Sequence, residues 1–144
     1  MLSTSFTHAV KYTQEGCVQF DISNFQVNDR IAPALTKALS EVKGVTNLKL
    51  RQCNISAFSL KKMLDQVPVQ VLDVSGNPSL SQFNFSDYVS MRTLKASHNQ
   101  MTEIPRMADS ILELSLSHNK LSDMEPIAGI LNKNKIRWLD LGWN

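Results

Sequence analysis

The sequence predicts an α/β fold, a solenoid of short parallel strands wound from about six units in one domain. Three observations carry this. The chain has 144 residues, 42% of them hydrophobic and 19% charged, which suits a single folded domain and neither a disordered segment nor a coiled coil. One template (apolar, two variable, apolar, one variable, apolar, two variable, Asn, one variable, apolar) recurs down the chain. Its paired apolar positions two apart define a strand with one buried face. Its spacing leaves room for a crossover, so successive strands run parallel, and each unit buries its apolar edge only against its neighbours.

The copies are legible residue by residue. Val45, Leu48, Leu50 and Ile55 fit with Cys53 in the Asn slot. Val69, Leu72, Val74 and Asn77 fit before Pro78 interrupts. Met91, Leu94, Ala96, Asn99 and Met101 form the next copy, and Ile111, Leu114, Leu116, Asn119 and Leu121 fit throughout. Ile136, Leu139, Leu141 and Asn144 make a last, incomplete copy. Cys17, Phe20 and Ile22 form a degenerate first one with Phe25 in the Asn slot. The starts at 17, 45, 69, 91, 111 and 136 give periods of 28, 24, 22, 20 and 25 residues. An amide has two donors and an acceptor, enough to hold the backbone of adjacent turns where the chain leaves each strand.

The period sets what fits between strands. In the longest unit Ile31, Leu35, Ala38, Leu39 and Val42 recur at helical spacing, with Asn28 or Asp29 as cap and Gly44 as stop. In the next, Phe58, Leu60, Met63 and Leu64 follow a Ser56 cap and end near Pro68. The 20-residue unit is too short for a helix, and Ile104-Pro105 reads as extended chain. Asp123 to Leu131 reads as helical or 3₁₀ again. Residues 1–16 read as an N-terminal capping segment, in which Phe6, Val10 and Tyr12 form a hairpin with the first unit's strand, and His8 belongs to that cap. Residues 17–144 are the repeat domain.

This template resembles the leucine-rich repeat family over about residues 17–144. The long copies are similar to the ribonuclease-inhibitor class, where Cys and Asn share one slot, and Met101 to Leu121 resembles the short repeats of bacterial effectors. The resemblance implies a right-handed solenoid with its parallel sheet on a concave face and short helices, 3₁₀ turns or extended segments on the convex face. It also implies protein binding through the concave strands. Alternatives within it are the targeting domain of a larger enzyme or effector, such as a ligase with catalysis outside this chain, or a regulatory or scaffold subunit of a phosphatase, GTPase or cytoskeletal assembly.

Charge and chemistry narrow the function classes. Fifteen Lys and Arg against thirteen Asp and Glu leave +2, no footprint for a nucleic acid or an anionic membrane. No apolar run reaches the ~18 residues of a membrane helix, and no signal-peptide core follows a basic start. A cytoplasmic setting follows, or the host cytosol for a secreted effector. No nucleophile elbow, phosphate loop or metalloprotease motif occurs, so no enzyme activity and no cofactor are expected. His98 and His118 share one slot, but no acidic or thiol ligand joins them, so no metal is expected. Cys17 and Cys53 lie eight template positions apart, too far for a disulfide. Asn54 and Asn84 head triplets of the glycosylation pattern, which is common by chance.

The outward strand positions carry the site expectation. One column reads Asp21, Lys49, Asp73, Lys95, Ser115 and Asp140, a charge ladder; the next is small except for Arg51. Beyond it stand Gln52, Gly76, His98, His118 and Trp143, and on the near side Asn47, Val71, Thr93, Glu113 and Trp138. The expected partner contacts are Lys49, Arg51, Lys95, His98, His118, Trp138, Asp140 and Trp143, with the two tryptophans as anchors. They face either a partner or a further repeat. The uncapped last strand also offers a route to a homo-oligomer.

Overall fold

A computed structural model describes residues 10–12 and 18–144. The fold is α/β, with one seven-stranded sheet in chain order. Its strands are β1 (Val10–Tyr12), β2 (Val18–Asp21), β3 (Val45–Lys49), β4 (Val71–Asp73), β5 (Thr93–Lys95), β6 (Glu113–Ser115) and β7 (Trp138–Asp140). β2 to β7 are mutually parallel, and β1 pairs antiparallel with β2 through Val10 opposite Phe20. That pairing is the one expected of the capping hairpin. The connecting turn, His8 and Cys17 lie outside the described residues.

Register is what the template demands. Phe20, Leu48, Leu72, Leu94, Leu114 and Leu139 are successive partners in one row. Leu48, Leu72, Leu94 and Leu114 are fully buried, as are Leu50, Val74, Ala96 and Leu116 two residues on. Leu139 on β7 and Leu141 just after it are only half-buried against this core.

Helices α1 (Ala32–Glu41) and α2 (Ala57–Gln66) follow β2 and β3, and α3 (Glu125–Lys133) follows β6. α1 and α2 bury Leu35, Leu39, Leu60, Met63 and Leu64 in the core shared with the leucine row. Ser56 caps α2 by accepting from the Ser59 amide at 3.1 Å, as its position predicts. α1 starts one turn after its expected cap. Asn28 Oδ1 accepts from the amides of Arg30 and Ile31 at 3.1 and 2.9 Å, and Pro33 sits in the first helical turn. Gly44 ends the connection with φ +81°. Of the apolar residues that follow the Ser56 cap, Phe58 stays out of the core: it is 64% exposed and covered by Lys62 Nζ at 4.5 Å, while the small Ser59 turns inward. Between α2 and α3 the only helical turn among the described residues is 3₁₀, Pro78–Leu80. There Phe83, Phe85 and Tyr88 fill space that a helix would otherwise occupy, with Phe83 and Phe85 ring centroids 4.6 Å apart. No helix among the described residues is long and apolar enough to cross a membrane.

The Asn slot closes the turns. Asn119 Oδ1 accepts from the amides of Asn99 (2.9 Å) and Met101 (3.0 Å), and its Nδ2 donates to the carbonyls of Ala96 (3.0 Å) and Leu116 (2.9 Å). Asn77 repeats this with the amides of Cys53 and Ile55 and the carbonyls of Leu50 and Val74. Asn99 accepts only from the Asn77 amide, at 2.6 Å, because Pro78 diverts the chain after Asn77. Cys53 shows what the substitution removes. Its thiol donates to the Ile22 and Arg51 carbonyls at 3.2 and 3.4 Å, standing in for the amide donor. It has no carbonyl to offer, and the Val27 amide turns to the Cys53 backbone oxygen at 2.9 Å.

Burial pushes the Cys53 thiol up from 9.0 to about 11, against the Phe25 and Asn24 backbone hydrogen bonds that lower it. A raised value makes the folded state hold its proton longer than the unfolded chain. That contribution to stability is full below pH 9 and is lost as pH rises toward 11. The fall in urea-unfolding stability between pH 9 and 11 should therefore be shallower in Cys53→Ala than in the parent chain. At pH 7, Asn119→Ala, which strands two buried amides, should lose about 3 kcal/mol. Cys53→Ala should lose only about 1 kcal/mol. Equal losses would refute the division of roles between the two slots.

Candidate functional site

The face of the sheet opposite the leucine row carries the candidate site. Alternation along an extended strand puts residues 47, 49 and 51 on this face and buries Leu48 and Leu50. Strict alternation would then turn Gln52 inward. Instead Gln52 has φ +53°, and the same left-handed conformation recurs at Asn24 (+66°), Gly76 (+76°), His98 (+57°), His118 (+54°) and Trp143 (+59°). This single residue lets two consecutive side chains face outward before the Asn slot returns to the core. Such backbone costs a non-glycine residue roughly 1–2 kcal/mol. Each inner turn offsets it with an amide bond to the next strand's turn. Gln52 N donates to Ser75 O, Gly76 N to Ser97 O, His98 N to Ser117 O and His118 N to Gly142 O, at 2.9 to 3.2 Å.

All eight expected contacts lie on this face, in four adjacent columns fixed by the strand register. Lys49 and Asp140 are half-buried; Arg51, Lys95, His98, His118, Trp138 and Trp143 are exposed. The turn geometry stacks one column into a platform. The His98 and His118 rings lie 4.2 Å apart at 18°, and His118 and Trp143 lie 5.7 Å apart at 21°. Trp138 is 47% exposed and Trp143 82%.

The charge ladder is less open than its sequence suggests. Asp73 is buried, accepts from the Ser75 amide at 3.1 Å and pairs with Arg51 Nε at 3.8 Å. Asp21 and Asp140 accept from the amides of Ser23 (3.1 Å) and Gly142 (3.0 Å) in the same way, so aspartate here also shapes the turn. The small column is tied inward too. Ser97 Oγ lies 2.9 Å from Ser115 Oγ and 3.0 Å from Ser117 Oγ, and both partners are buried. Glu113, which the sequence places in the near column without a role, stands exposed beside Trp138 and accepts from Thr93 Oγ1 at 3.1 Å. Its signal was its column, shared with Trp138.

Among the described residues no three His, Cys, Asp or Glu side chains converge as a metal set. The two stacked imidazoles present parallel faces to each other, and what the arrangement offers is a flat aromatic surface with charge at its border. Comparison with protein-family models, curated proteins and solved structures finds no match to this chain.

Gly76 is required twice: its φ is left-handed, and an added Cβ would stand 2.7 Å from Gln52 Cγ. Gly76→Ala should lower stability by about 1–2 kcal/mol, measured by thermal unfolding. An unchanged midpoint would refute the constraint.

Proposed function

We propose that this chain is a right-handed leucine-rich repeat solenoid whose concave strand face recognises another protein. The observation that carries the reading is the exposed stack of His98, His118 and Trp143, flanked by Trp138 on in-register strands. Large aromatics on a rigid face bury much area with little ordering cost, which is why they dominate binding energy at protein interfaces. The asparagine hydrogen bonds between turns support the solenoid part, because they do what the repeated slot requires. Right-handed crossovers are the rule for parallel strands. α1 and α2 bury their apolar residues in the core shared with the leucine row, on the side of the sheet away from these outward columns. In this reading Lys49, Arg51 and Lys95 give charge complementarity, and the chain binds rather than catalyses. The unpaired thiol of Cys53 fits a cytoplasmic setting.

The test compares three bead-bound chains in a cell lysate: the parent, Trp138→Ala/Trp143→Ala, and Phe58→Ser on the opposite side. At least one protein should be retained by the parent and by Phe58→Ser. The double variant should bind it more than roughly fivefold more weakly, the equivalent of 1 kcal/mol. Circular dichroism should show the same fold in all three. Retention indifferent to the tryptophans would overturn the assignment of the face.

A further inference from the structure

From β2 to β5 the ladder alternates in charge (Asp21, Lys49, Asp73, Lys95), and Asp73 is paired with Arg51, whereas the outward positions on and just after β6 and β7 carry Glu113, Asp140 and both tryptophans and no lysine or arginine. Resting on the reading above, we infer that the β6–β7 end receives a cationic side chain, arginine or lysine, of the partner's polypeptide.

Four observations support this. First, among the described residues neither Glu113 nor Asp140 has a cation within 4 Å, whereas Asp73 on the same face is buried against Arg51. Second, both carboxylates are held in place by neutral donors, the Thr93 hydroxyl on Glu113 Oε2 and the Gly142 amide on Asp140 Oδ1. These bonds orient the carboxylates without neutralising them. Third, Lys95 is separated from Asp140 by Ser115 in the ladder, two strand spacings or roughly 10 Å. That distance is about the Debye length at physiological salt, so Lys95 screens Asp140 little. Fourth, Trp138 and Trp143, two residues before and three after Asp140, are exposed, with Trp143 stacked on His118 through one face, and an indole face attracts a cation. Gly142 keeps the space between Asp140 and Trp143 clear; even a Cβ there would come within 3.2 Å of Asp140 Oδ1. A phosphate-bearing partner would meet these carboxylates head-on and is disfavoured at this end.

Trp138 and Trp143 are the chain's two tryptophans, so both indole N–H signals in a ¹⁵N spectrum report on this end. The probes are two acetylated, amidated peptides, Gly-Ser-Arg-Gly-Ser-Arg-Gly and the same sequence with Glu for Arg, at low salt. The Arg peptide should shift both indole signals saturably, and the Glu peptide should not. Glu113→Gln/Asp140→Asn keeps the oxygen acceptors for Thr93 and Gly142, so it preserves the turn while removing the charge; it should weaken the Arg peptide at least tenfold. Equal response to both peptides, no response to the Arg peptide, or affinity unchanged in the charge variant would overturn the inference. So would free arginine amide binding as tightly as the peptide, since it would assign the end to a small cation. The lysate experiment separates the two readings. A protein lost by the tryptophan variant but retained by the charge variant leaves protein recognition standing and removes the cationic assignment. Retention by both variants removes both.

Discussion

Buried backbone at the bend after each strand must find hydrogen-bond partners, and everything else in this structure follows from how it does so. A strand of three to five residues supplies too few ladder bonds to fix its own exit. The side-chain amides of Asn77, Asn99, Asn119 and Asn144 supply the rest, each reaching back to the preceding turn. Asn144 accepts from the Leu121 amide at 3.1 Å and donates to the carbonyls of Leu116 and Leu141. Because each amide bonds two turns at once, it also sets the register between them. Slippage by one residue would break it and turn the leucine row outward.

The same bend creates the surface. A residue in the left-handed region before every Asn slot keeps one more side chain on the outer face than strand alternation allows. At four of its six positions that residue is large or aromatic enough to stack or cover its neighbour: Gln52, His98, His118 and Trp143. The strain is tolerated because the same residue's amide is committed to the next turn. Fold and surface therefore share their hydrogen bonds: the backbone that carries the aromatic platform is part of the ladder beneath it.

Much of this was legible in the sequence, since spacing encodes it. The leucine row, the strand columns and the roles of Asn77, Asn119 and Ser56 follow from period and donor count. What escaped were effects that depend on the third dimension. Phe58 has the period of a core residue, yet the helix rotates so that Ser59 turns inward. There its hydroxyl reaches the carboxylate of Asp29 at 2.7 Å. Asp73 looks like a surface rung but is drawn in by the Ser75 amide and Arg51. Glu113 carries no motif; its meaning comes only from Trp138 across the ladder. Sequence fixes which column a residue joins, whereas its exposure depends on the neighbours that the register brings to it.

A hollow of about 500 Å³ between α1 and α2 is a competing place for function. Its chemistry argues against it. The Asp29 carboxylate is already bonded by the hydroxyls of Ser56 and Ser59, which hold it below the usual carboxylate range. Lys62 covers the Phe58 ring, and Lys61 is paired with Asp65 at 3.0 Å. Its acidic groups, Asp29 and Asp65, and its Phe58 ring are all engaged by neighbours. On the strand face the reverse holds: the tryptophans are open, and Glu113 and Asp140 are oriented without an opposing charge. A binding surface is distinguished by unspent interactions held in fixed positions, and by that measure the strand face outweighs the groove between the helices.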